Sequence, residues 1–229
     1  MLATFFIEIF LAGYTLWRYK MSTTTRLAAA ILVCLAVFQL AEFNVCENAQ
    51  LLDSAAWARL GYVAITLLPP LGIHLISKLS DDKRHWPYVA AYAFGGLFTA
   101  YFLLATSGIA AGVCLGNYVI FEQASDTAYL YGFYYYGLLI AAIMYALYRA
   151  SGAKAHIKRS LYALSIGYAL FMIPTTLVNI INPSTMAGIP SIMCGFAVLL
   201  ALVLAGKVLP HYYERTAPSA ALMKFFRKK

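Results

Sequence analysis

Three polar side chains interrupt long apolar runs near the start of the chain: Glu8, Gln39 and Glu42. Gln39 and Glu42 are three residues apart, so on a helix they share one face. A carboxyl or amide carried into hydrocarbon is costly, which makes such residues functional candidates by default. Further along, "YLYGFYYYG" places Tyr131 and Tyr135 on one helical face, with Tyr134 beside it. Pro174, Thr175, Thr176, Asn179 and Asn182 occupy one end of a later apolar run. The chemistry these groups offer is recognition, through hydrogen bonds and charge. Enzyme signatures are missing from the sequence, with no G-x-S-x-G, H-E-x-x-H or Walker loop. Of the four histidines only His74 lies within an apolar run, so a bis-histidine haem has no second ligand. The four cysteines contain no C-x-x-C pair. No catalytic residue, metal site or cofactor is therefore expected.

The elements that must position these groups follow from composition. Hydrophobic residues make up 62% of the 229, and charged ones only 11%, against about 25% charged in a soluble domain. The excess apolar surface must face lipid, so the fold class is an all-α integral membrane protein. A spanning helix needs about 20 mostly apolar residues. Seven stretches qualify, at 2–17, 27–46, 60–79, 87–107, 129–149, 160–181 and 189–209. The expectation is one seven-helix domain over 1–209 and a short basic tail over 210–229. All but one of the 17 Lys and Arg residues, Arg59, fall on one side of this arrangement. The positive-inside rule makes that side cytoplasmic, with the N terminus outside and the C terminus inside. The same rule accounts for the net charge of +8 without nucleic acid as a partner. Membrane lipid is the expected partner of the apolar faces, and "MKFFRKK" can either rest on anionic lipid or stand as a solvated tail.

With this topology Glu8, Gln39, Glu42, Tyr131, Tyr135 and Asn179 all fall in the extracytoplasmic half. One reading is a pocket there for a small ligand of unknown identity. The other is that Glu42 and the tyrosines are wet and interfacial, while Asn179 bonds a neighbouring helix. The longest outer loop, "SGIAAGVCLGNYVIFEQASDTA", holds Cys114, and Cys46 ends the second span on the same side. In an oxidising compartment a Cys46–Cys114 disulfide would tie that loop over the bundle as a lid; the alternative is two unpaired thiols. Pro69 and Pro70 interrupt the third span and Pro174 the sixth, and each removes a helical donor. All three are expected hinges, with His74 bonding a neighbouring helix.

"LAEF" closing span two, "WARLGYVAITLLPPLGIHLI" and the run "YGFYYYGLLIAAIMYALYRASGAKAHIKRSLYALSIGYALFMIPTTLVNII" together resemble the seven-transmembrane sensor region at the N terminus of bacterial histidine kinases. The similarity covers about Leu27 to Leu209. It implies a sensor in the bacterial cytoplasmic membrane whose bundle passes a signal to a cytoplasmic kinase or cyclase. The residues after span seven carry neither a phosphoacceptor helix nor a nucleotide-binding fold. The expectation is thus a stand-alone sensor that signals through a cytoplasmic or membrane partner. A small transporter or channel is the alternative, and an intramembrane lipid enzyme ranks below both.

Overall fold

In lipid every backbone polar group must be satisfied within its own segment, and apolar runs of this length do so as helices. A computed structural model describes residues 1–47, 52–105, 109–115, 118–123 and 125–213. Helices α1 (Leu2–Arg18) and α2 (Thr23–Glu47) pair along their length, joined by a short turn. Next come α3 (Ser54–Thr66), α4 (Leu68–Leu79) and α5 (Trp86–Leu104). After a hairpin of strands β1 (Ile109–Leu115) and β2 (Tyr118–Gln123), the chain forms α6 (Ser125–Ser151) and α7 (Ala155–Ile181). A 3₁₀ turn (Pro183–Gly188) leads into α8 (Ile189–Val203), which continues through a π-helical turn (Leu204–Val208) into α9 (Leu209–Tyr213).

Among the described residues, six helical stretches are long and apolar enough to cross a membrane: Thr23–Glu47, Ser54–Leu79, Trp86–Leu104, Thr127–Ser151, Ala155–Ile181 and Ile189–Tyr213. The chain is a multi-pass membrane protein. With 17 residues, α1 is about 26 Å long, a little under the roughly 30 Å of a hydrocarbon core. Large apolar residues such as Phe94 and Leu97 on α5 and Phe133 and Met144 on α6 stay exposed, as a lipid-facing surface requires. At the centre lies α2, whose Leu32, Leu35, Ala36 and Phe38 are fully buried against its neighbours.

Several boundaries differ from the sequence expectation. The third span begins at Ser54 instead of 60, because the Asp53 carboxylate accepts the Ala56 N–H at 2.6 Å and caps the helix. It then divides at Leu67, just before the two prolines, into α3 and α4. By contrast α7 stays continuous through Pro174, and the Thr175 and Thr176 hydroxyls bond back to the Phe171 and Met172 carbonyls. Helix α9 carries the last stretch past 209, and residues 214–229, including "MKFFRKK", lie outside the described residues.

Side-chain bonds define two ends. At the basic end, Tyr213 meets the hydroxyls of Ser22 (2.5 Å) and Thr25 (2.7 Å), joining α9 to the turn between α1 and α2. The Ser160 hydroxyl donates to the Val208 carbonyl at 3.0 Å, inside the π-helical turn. Asp82, in the turn after α4, accepts the Tyr145 hydroxyl at 2.8 Å and pairs with Arg149 at 3.5 Å and Arg84 at 3.0 Å. Those three partners hold the Asp82 carboxyl well below the usual carboxylate range, the Arg84 hydrogen bond contributing most. The opposite end carries the hairpin.

Candidate functional site

Thr4, Glu8, Ala12 and Thr15 follow one another at helical spacing and form the stripe of α1 that meets α2 and α8. On α2 the facing groups are Gln39 and Glu42. Helical side chains lean toward their own N terminus. Because α1 and α2 run in opposite directions, Glu8 leans toward the hairpin end and Glu42 away from it. The two carboxyls converge near Gln39 and interact electrostatically with each other and with Cys194 of α8. All three polar residues are sealed, with Glu8 0%, Gln39 2% and Glu42 1% exposed. They are buried within the protein.

Few partners reach this cluster. The Thr4 hydroxyl lies 2.8 Å from the Gln39 carbonyl oxygen and 2.6 Å from the Met1 carbonyl. Rotating the Gln39 amide by half a turn would let its NH₂ donate to Thr4 instead; either way one amide atom keeps no partner. The Ser191 hydroxyl bonds the Glu42 carboxyl and accepts the Val119 N–H of β2 at 3.0 Å. Both Glu8 oxygens, the Gln39 nitrogen and one Glu42 oxygen are buried with no hydrogen-bond partner. Among the described residues neither carboxylate joins a salt bridge.

The hairpin closes this end. Val119 and Phe121 alternate along β2 and turn the same way, into the bundle. The Phe121 ring packs edge-on to Tyr62 at 5.3 Å and beside Phe38 at 6.1 Å. Tyr118 lies against Gly188, where a side chain would collide with its ring. The Cys46–Cys114 disulfide joins the end of α2 to β1. Within the loop expected to act as a lid, β1 and β2 thus form a two-stranded cover, bonded covalently to α2 and through Ser191 to α8.

No family model, curated protein or solved structure matches the chain.

The tyrosines of α6 serve a different place, the break between α3 and α4. Pro70 has no N–H, which frees the Thr66 carbonyl one turn earlier. The Tyr134 hydroxyl donates to that carbonyl at 2.7 Å, and Tyr131 shares a 3.1 Å bond with the Thr66 hydroxyl. Gly95 of α5 backs the same spot; a side chain there would meet Pro70 and the Tyr134 hydroxyl. Tyr135 is buried too and lines a small void with Leu35, Leu68, Tyr168, Met193 and Cys194. That void measures about 10 Å³, the room of one water-sized sphere. An organic ligand would need roughly 300 Å³ or more.

Of the residues singled out from sequence, Glu8, Gln39 and Glu42 come together. Tyr131 and Tyr135 sit deeper, around the break, while Asn179 is elsewhere. Its amide donates to the Thr175 carbonyl at 3.1 Å and accepts the Thr185 hydroxyl at 2.7 Å, tying α7 to the 3₁₀ turn. His74 stacks on Tyr88 at 4.2 Å and bonds the Tyr92 hydroxyl at 3.3 Å, between α4 and α5. Thr4, Ser191 and Cys194 join the cluster with little signal in the sequence beyond spacing: Thr4 precedes Glu8 by one turn, and Ser191 and Cys194 share one face.

Proposed function

We propose that the chain is a seven-helix membrane sensor, with α1 as its first span, its hairpin end outside and its basic end in the cytoplasm. The Glu8–Gln39–Glu42 cluster is its detecting element, and its output is a change at the basic end that a cytoplasmic or membrane partner reads. One observation carries the reading: a polar cluster sealed in the bundle, short of partners, beneath a cover bonded to the helices that hold it. Buried polar groups are normally satisfied, so a cluster left short of partners is one held ready for a ligand. The break at Leu67, held by hydroxyls and not by the helix itself, gives the halves of the third span a place to move. The resemblance to kinase sensor regions supports the same reading. The bacterial cytoplasmic membrane is the location proposed with it.

Photo-crosslinking from Lys83 and Tyr212 at the basic end in native membranes tests this. A discrete partner captured from those positions, and not from Leu52 at the other end, is the expected result. Capture of no partner from either end would remove the sensor reading.

The unpaired carboxyls also favour a second reading, a small carrier of protons or metal cations across the membrane. Cation flux in proteoliposomes that disappears in Glu8→Gln would place it first.

A further inference from the structure

We infer that Glu8 and Glu42 together hold one monovalent cation, a proton or a small alkali-metal ion. This rests on the cluster being the detecting element and names what it detects. Three unpartnered carboxylate oxygens, two on Glu8 and one on Glu42, are buried where α1 and α2 pack on each other and on α8. Each is a lone-pair acceptor, and an ionised carboxylate removed from water requires a compensating charge or donor. The remaining carboxylate oxygen of Glu42 is occupied by Ser191, which is itself engaged by the hairpin backbone. Gln39 brings a further atom, 2% exposed as a residue and unpartnered, on the same helical face as Glu42. With its amide rotated, that atom is a fourth oxygen, and oxygen donors are what hard cations select.

The surroundings set the size and charge of the ligand. Around the pair, α1 contributes Thr4, the residue before it contributes the Met1 amino group, α3 contributes Tyr62, and α8 contributes Cys194 and Ser191. The amino group of Met1 acts on both carboxyls from the hairpin end without forming a salt bridge. Residues this closely sealed leave no room for an organic molecule, and the neighbouring void beside Cys194 takes one water-sized sphere. A divalent metal would also be short of ligands, since no group of three or more His, Cys, Asp or Glu side chains converges among the described residues.

Thermal melting of the full chain in zwitterionic lipid nanodiscs tests the inference. Sodium chloride is exchanged for choline chloride at constant ionic strength, and pH is varied separately. A ligand that binds only the folded state raises Tm as it saturates, so a shift of several degrees across a hundredfold concentration range is expected. A rise with sodium at fixed pH identifies a metal ion; a rise with acidity in choline chloride identifies the proton. Either response should be lost in Glu8→Gln and in Glu42→Gln. Should these variants fail to fold, the carboxyl and carboxylate infrared bands of the wild-type chain report the same titration directly. A wild-type chain whose melting and infrared bands ignore both sodium and pH would overturn the inference. A cation response with no partner and no movement at the basic end would keep this site and remove the sensor reading. Movement driven by another stimulus, with no cation response, would do the reverse.

Discussion

The Tyr134 hydroxyl donates to the Thr66 carbonyl at 2.7 Å, and that carbonyl is the one Pro70 leaves without a helical donor. A helix on the far side of the break thereby supplies the bond the broken helix cannot make. The break is accordingly a tertiary feature, shared between α3, α4 and α6.

Tyr134→Phe removes that donor and leaves a buried carbonyl unsatisfied, a loss of about 1–3 kcal/mol. Pro70→Ala restores a backbone N–H for the same carbonyl. The double variant should lose less than the sum of the two single changes. Denaturation midpoints of the four chains in detergent check this, and strict additivity would show that Tyr134 and Pro70 act independently.

Gly72 lies under the Tyr168 hydroxyl, and an added Cβ would run into it. Gly72→Ala should destabilise the chain by about 1–3 kcal/mol through overpacking. Tyr168→Phe, which removes the obstructing oxygen, should recover most of that loss in the same melting assay. A Gly72→Ala chain as stable as wild type would show that α4 and α7 are not in contact there.

Cys46 and Cys114 close a loop across 68 positions of sequence. Reduction, or Cys114→Ser, should cost about 2–4 kcal/mol and should expose the Ser191 bond to exchange. Slower migration on a gel after reduction, together with a lower Tm, is the expected pair of results. Hydrogen exchange at the Val119 amide should quicken at the same time, because the tethered hairpin holds that amide against its acceptor, Ser191 of α8.

Asp82 carries the pH dependence of the basic end. Its carboxyl is held below its ordinary value by Arg84, Tyr145 and Arg149, so the folded chain releases its proton more readily than the unfolded one. The stability this contributes is present above the unfolded value of about pH 4 and is lost as pH falls toward the lower folded value. Asp82→Asn should therefore melt lower than wild type at neutral pH. That gap should close on acidification below about pH 4. A gap that stayed constant with pH would remove the ionised carboxylate from the explanation.

How much of this could be read from the sequence depends on whether a feature is local. The helical, multi-pass character follows from run length, a local quantity, and six of the seven expected stretches are long and apolar enough to cross a membrane among the described residues. The disulfide could be named because only two of the four cysteines fall at one end. Glu8, Gln39 and Glu42 were legible because polar residues in apolar runs are conspicuous. Their neighbours Ser191 and Cys194 were not, since which face α8 presents to α2 is decided by packing. Tyr131 and Tyr135 suit an interfacial belt as well as a core, and packing decides between them: Tyr131 bonds the Thr66 hydroxyl and Tyr135 is buried beside Met193 and Cys194. Asn179 illustrates the opposite failure: it is polar and intramembrane, yet its bonds are spent within α7 and the adjoining turn. Nor could a hairpin be read from residues 109–123, whose small and apolar residues lack a strict alternation and contain a bulge between Ala110 and Val113.

The central claim is that the carboxyl cluster near the hairpin governs the arrangement of the basic end. The most direct measurement is the distance between spin labels at Lys83 and Lys158, both exposed at that end, with Cys34 replaced by alanine, buried Cys194 left in place and the disulfide kept. Sodium or acid should shift the wild-type distance distribution, while a chain carrying Glu8→Gln and Glu42→Gln should remain in one distribution throughout. A wild-type distribution that does not move under either titration, in a chain whose carboxyl bands do respond, would contradict the account.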